Sequence, residues 1–193
     1  MHWPHETLEV VLATLKDARR SGACEASTEL LARALAHVPE EILSARPPED
    51  RQAVRALLAE TGRSPQQFTL AEIEQLWEQL LDRPARRLAV YGTLAPGEVN
   101  HHIVADLGGS WTAGRVRGRR VQLDPYPLFF PCERVGSPAT NHVAVQVLES
   151  PALPDAWPRL DAFEGPDYRR ILVAVDTADG TRVANIYEGV AER

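Results

Sequence analysis

The hydrophobic periodicity of the chain changes once, around Asp82-Arg83-Pro84, and that change restricts it to a helical part followed by a strand-rich part. Before it, apolar residues recur at helical spacing. Leu8, Val11, Leu12 and Leu15 fall on one face of residues 5–20, with Glu6 and Glu9 near the start and Arg19 and Arg20 near the end, as the helix dipole favours. Ser21-Gly22 closes that helix, and Leu30, Leu31, Ala34 and Val38 mark a second one stopped by Pro39. Pro47-Pro48 breaks the chain again, after which Val54, Leu57 and Leu58 mark a third helix ended by Gly62. Thr69 with Glu72 makes a capping box ahead of Ile73, Leu76, Trp77 and Leu80. Residues 1–85 are therefore expected to be an all-helical region of roughly four amphipathic helices.

From Arg86 onward the chain consists of short β-branched runs separated by Gly and Pro. LAVYGTL, residues 88–94, reads as a buried strand that Gly92 ends, where the backbone turns tightly and another molecule can approach. Ala95-Pro96-Gly97 is a turn, and Glu98 to Leu107 is expected to be a short helix ended by Gly108-Gly109. Residues 111–123 and 141–148 are expected strands, with Val143, Val145 and Val147 sharing one face. Residues 153–164 look helical despite Pro158, and two runs around Asp179-Gly180 read as a closing hairpin.

Charge narrows the function. Of the 27 acids and 21 bases that give a net charge of -6, residues 1–85 hold 14 acids against 9 bases, so the acidic excess is N-terminal. That balance argues against a nucleic-acid or anionic-membrane binder, whose footprint is basic. The polar start MHWPHETLEV does not resemble a signal peptide, and no apolar run is long enough to span a bilayer. Cys24 and Cys132 are too few for a disulfide framework, so a cytoplasmic protein with reduced thiols is expected. His2 and His5 flank Trp3-Pro4 at an expectedly mobile terminus, and His37 stands alone; lone histidines are mostly structural. His101 and His102 would point about 100° apart on a helix, with no acidic partner at ligand spacing, so no metal site is expected. Arg115, Arg117 and Arg119 share one strand face and read as solvated surface.

Three ordered stretches carry a resemblance: YGTLAPGEVNHHIV, GRVRGRRVQLDPYP and LDAFEGPDYRRILVAV. In order and spacing they resemble the γ-glutamylcyclotransferase-like family, in the subgroup of γ-glutamylamine cyclotransferases and AIG2-like proteins, over about residues 87–190. The resemblance implies an α+β fold: a small mixed β-barrel with helices packed around it (residues 86–193), preceded here by the all-helical region (residues 1–85) that it does not cover. It places the γ-glutamyl-binding loop on Tyr91, Gly92, Thr93 and Leu94. The acid/base carboxylate falls on Glu164, and Tyr168 borders the same pocket. Asn100-His101 matches the family's pair after the turn, without a catalytic role. Pro125-Tyr126-Pro127 and Leu128-Phe129-Phe130 are bulkier than the family's segment near the pocket and bear on the leaving group.

The implied chemistry suits these residue types. In a γ-glutamyl amine or amide the α-amine can attack the γ-carbonyl, closing 5-oxoproline and expelling the amine. The enzyme must fold the substrate into attack geometry, a contribution on the order of 7–11 kcal/mol in well-oriented intramolecular reactions. It must also move protons, which one carboxylate near neutral pKa can do. No metal or organic cofactor is needed. By residue type alone Asp124, Asp161, Asp167 and Glu188 compete with Glu164, and only the company of YGTL and the downstream Tyr168 lifts Glu164 above them. The alternative from another class is a catalytically inactive barrel that binds a small acidic metabolite or a protein. A third is a different acyl transfer in the same pocket. The helical region is a candidate docking or dimerisation module.

Overall fold

A computed structural model of the chain describes residues 3–20, 34–44, 51–52, 54–55, 70–122, 127–131 and 142–190. The chain divides into two compact units, Met1–Arg83 and Pro84–Arg193.

In the first unit α1 (His5–Arg20) buries Leu8, Val11, Leu12 and Leu15, the face that the periodicity marks. Trp3 is buried as well, and the Leu8 N–H donates to the Pro4 carbonyl, so residues 3 and 4 are tied down rather than mobile. Pro39 both ends and begins: a 3₁₀ turn, Leu35–His37, stops before it, while its carbonyl accepts from Ile42 and Leu43 at the head of α2 (Glu40–Ser44). Proline suits that position because a first-turn N–H would have no helical partner. Residues 51–52 and 54–55 are helical, and α3 runs Leu70–Leu80. The Thr69 cap, Cys24 and the stretch around Gly62 lie outside the described residues.

The second unit holds β1 (Arg87–Val90), α4 (His102–Ala105), β2 (Ser110–Gln122), β3 (Pro127–Pro131), β4 (His142–Glu149), α5 (Leu153–Glu164), β5 (Tyr168–Thr177) and β6 (Gly180–Gly189). The strand order β3-β2-β4-β1-β6-β5 closes on itself through β2 and β5, giving a five-stranded barrel with β3 as an extra strand on β2. It is mixed: β1 runs parallel to β6, and the remaining pairs are antiparallel. The fold is thus the α+β barrel that the sequence implies, with a helical region preceding it in the chain.

β1 explains why Leu88, Ala89 and Val90 are apolar without alternation, while the buried Arg87 at its start is satisfied by Glu149 and the Val183 carbonyl. All four residues are buried, because both faces of the strand are covered. Ala89 points into the barrel with Val116, Val145, Ile171 and Ile186. Leu88 and Val90 point outward into a second cluster with Leu153, Trp157 and Leu160 of α5. Each large apolar side chain so buried contributes about 1.5–3 kcal/mol. Val143, Val145 and Val147 all face inward, as their alternation predicts.

Two expectations need correction. The segment 98–107 is mostly turns, and only His102–Ala105 is helical. Gly97 adopts φ 86°, and the Asn100 N–H folds back onto the Thr93 carbonyl, which takes the backbone out of a helical path. β3 is a strand that the sequence reading did not name. Its Pro127 and Pro131 ends hid it, although prolines are tolerated on an edge strand.

Candidate active site

The strand β1 ends at Val90, and the chain then coils over Tyr91–Leu94 into a string of turns. Gly92 does not need a left-handed backbone here. An added Cβ would be crowded by Pro127, whose Cγ would lie 3.2 Å away and would have to give by a few tenths of an ångström. The turn is held from behind by the two residues after it. Asn100 donates from its backbone to the Thr93 carbonyl (3.0 Å) and from Nδ2 to Thr93 Oγ1 (3.0 Å). His101 Nδ1 donates to the Leu94 carbonyl at 3.1 Å, and its ring packs on Trp111. His101 is a brace for the loop.

These bonds decide what the loop can offer. Among the described residues, the backbone N–H groups of Gly92, Thr93 and Leu94 donate to no protein acceptor. The Thr93 hydroxyl accepts from Asn100, which leaves its own proton to give. The segment lines a cavity of about 200 Å³, and uncommitted backbone donors of this kind suit a carboxylate or polarised carbonyl.

Glu164 stands at the end of α5, where Gly165 at φ 73° turns the chain out of the helix. Its half-buried carboxyl lines the same cavity, and among the described residues no hydrogen bond or ion pair reaches it. Loss of water raises its pKa from the usual 4.5 to about 7. At neutral pH it is therefore divided between acid and base forms, the condition in which a carboxyl can both take and give a proton.

The cavity brings together all six residues named from the sequence: Tyr91, Gly92, Thr93, Leu94, Glu164 and Tyr168. Tyr91 differs in kind from the others. Its hydroxyl donates to the Tyr187 carbonyl (2.8 Å) and accepts from the Phe129 N–H (3.2 Å), and its ring packs against Phe129. Burial, with the nearby Tyr168 and Glu164, pushes its ionisation far up, so the phenol stays neutral. Tyr168 donates to the Pro127 carbonyl at 3.1 Å.

Asn100, Pro127, Phe163 and Tyr187 also line the cavity. Asn100 belonged to the quoted motif, so its side-chain bond to Thr93 could have been anticipated. Tyr187 lies in an ordinary strand run, and nothing in its spacing marks it. The competing acids are engaged or elsewhere. Asp161 is held by Arg170, Glu188 is buried on β6, Asp167 is exposed, and Asp124 lies outside the described residues. Tyr126 also lies outside them.

In this closed barrel the loop donors and a carboxyl without a partner among the described residues line one small cavity. The chain belongs to the gamma-glutamyl cyclotransferase, AIG2-like family, whose profile matches residues 88–191. No curated protein sequence matches it. Among solved structures it is similar to YkqA from Bacillus subtilis at 27% identity (TM-score 0.44), over 54% of this chain and 35% of that one. It is similar to an uncharacterized protein from Pyrococcus horikoshii at 25% identity (TM-score 0.41), over 55% of this chain and 79% of that one. An AIG2-like protein from Mus musculus is 19% identical (TM-score 0.43), over 56% of this chain and 79% of that one. The chain thus spans about a third of YkqA's length. Among the described residues, no helix is long and apolar enough to cross a membrane.

Proposed function

We propose that the barrel is a cyclotransferase that converts a γ-glutamyl amine or amide to 5-oxoproline and the free amine. The carrying observation is Glu164, a carboxyl near neutral pKa with no partner among the described residues, which lines one cavity of about 200 Å³ with the loop whose backbone donors are free. In this reading the donors of Gly92, Thr93 and Leu94 hold polar atoms of the head, and Glu164 is the acid/base.

The proton account closes with one carboxylate. The α-ammonium gives a proton to Glu164, and the freed amine forms a C–N bond to the γ-carbonyl carbon. Glu164 gives that proton to the leaving nitrogen of the adduct, and the bond from the γ-carbon to that nitrogen breaks as the carbonyl re-forms. The regenerated carboxylate takes the second proton from the ring nitrogen and passes it to the released amine, which departs as an ammonium and leaves Glu164 ionised again. Positioning supplies the larger share of the acceleration, and proton transfer about 10²–10⁴-fold. The reaction would take place in the cytoplasm, with the helical unit as a docking or dimerisation module.

The test is 5-oxoproline release from γ-glutamyl amines, γ-glutamyl amino acids and glutathione, with Glu164→Gln as control. Release from one class, abolished in the control, supports the reading and names the leaving group. Tight binding of γ-glutamyl compounds without product, in folded protein, favours a binding module instead.

A further inference from the structure

Tyr187 is buried on β6 and lines the cavity, and its hydroxyl is already committed. It donates to Asp161 Oδ1 at 2.7 Å. Arg170 grips the same carboxylate with both arms, Nε to Oδ1 at 2.9 Å and Nη2 to Oδ2 at 3.0 Å. The guanidinium in turn lies over the Trp157 ring at 4.4 Å and reaches Asn185 Oδ1 at 3.4 Å. A bidentate guanidinium keeps a carboxylate ionised and acceptor-only. The phenol proton therefore stays on the Asp161 side, and a ligand at Tyr187 meets a lone pair. Tyr168, also on the cavity wall, donates to the Pro127 carbonyl.

The cavity is consequently sorted by hydrogen-bonding sense. Donors lie on the loop, at Gly92, Thr93 and Leu94, and acceptors lie at Tyr187 and ionised Glu164. A ligand with a cation close to a carboxylate or carbonyl matches that arrangement in one orientation. A ligand that turns its own acceptor toward Tyr187 sets lone pair against lone pair.

Resting on the cyclotransferase reading, we propose that the Tyr187 hydroxyl accepts a hydrogen bond from the α-ammonium of the γ-glutamyl ligand, and that Asp161 is the positioning residue that turns the phenol's proton away. One ammonium N–H held by Tyr187 leaves another directed to Glu164, so the two residues together fix which proton is lost and where the nitrogen lone pair then points.

Binding of a γ-glutamyl amine and of its analogue lacking the α-amine is measured by calorimetry on Glu164→Gln, a background in which turnover is suppressed. The expected result is a preference for the amine-bearing ligand that falls about ten- to a hundredfold when Tyr187→Phe is added, with binding of the analogue unchanged. Asp161→Asn should lower the same preference, and its effect should vanish on the Tyr187→Phe background, because coupled residues are not additive. Equal weakening of both ligands by Tyr187→Phe, or an Asp161→Asn effect that persists without the hydroxyl, would overturn the proposal while leaving the cyclotransferase reading intact. Failure of folded protein to bind or turn over any γ-glutamyl compound would overturn both.

Discussion

Tyr91 Oη and the carbonyl of Tyr187 meet at 2.8 Å, joining residues 96 positions apart, while the same oxygen accepts the Phe129 N–H. The first residue of the cavity-lining loop is thus a pin between β6 and β3. Tyr91→Phe removes the pin and strands two backbone groups. A loss of about 1–3 kcal/mol in unfolding free energy is expected, read from urea denaturation. Turnover at a temperature where the variant is folded should fall by less than about tenfold, because the loop N–H groups and Glu164 remain.

Glu164→Gln should lower kcat by about 10²–10⁴-fold. In the wild type, kcat/KM for a γ-glutamyl amine should decline as pH falls below about 7, where the carboxylate that must accept the ammonium proton is lost.

The same residue sets a pH dependence of stability with the opposite sense. Its folded-state pKa of about 7 lies above the ordinary 4.5, so folding favours the protonated form. That contribution is full below the ordinary value and is lost as the pH rises through the folded one. Denaturation at about pH 5 and about pH 8 should therefore show Glu164→Gln gaining on the wild type by on the order of 2 kcal/mol as pH rises.

Asn100→Ala removes the side-chain bond to Thr93 Oγ1 but keeps the backbone bond that shapes the turn. KM for a γ-glutamyl amine should rise about three- to tenfold with little change in the unfolding midpoint, as expected for a lost exposed-to-half-buried hydrogen bond that orders the loop.

Gly118→Ala puts a Cβ 2.5 Å from Phe129 Cε2 and 2.6 Å from the Phe130 carbonyl. The clash is with β3 backbone and a fully buried ring, so a cost of about 1–3 kcal/mol is expected in thermal or urea unfolding.

How much of this was legible in the sequence depended on whether a residue's role is local. Val143, Val145 and Val147 announce an inward strand face by alternation alone, and Leu8 to Leu15 announce a helix face, because period and burial are properties of neighbours along the chain. The cavity residues were legible only as a motif. Nothing near Glu164 in the sequence says that its carboxyl goes unpaired, while Asp161, three residues earlier, is gripped by an arginine on β5. Tyr187 was missed because its role comes from Asp161 and from strand pairing across the barrel. The extent of α4 was overread because the bonds from Asn100 and His101 back to the loop win over local helical preference.

The barrel is closed by three register pairs between β2 and β5, and β1 meets β6 in parallel register at Leu88 and Asn185. Both seams wait on the β5–β6 hairpin, which follows every other strand of the barrel in the sequence. Before β6 has been made, the loop donors and Glu164 exist but have no enclosing wall, since Tyr187 and the strand that Tyr91 pins come last among the barrel's pieces. Contacts so distant in sequence make for slow, late closure, and a chain cut short before Tyr187 would carry the motif residues and no cavity.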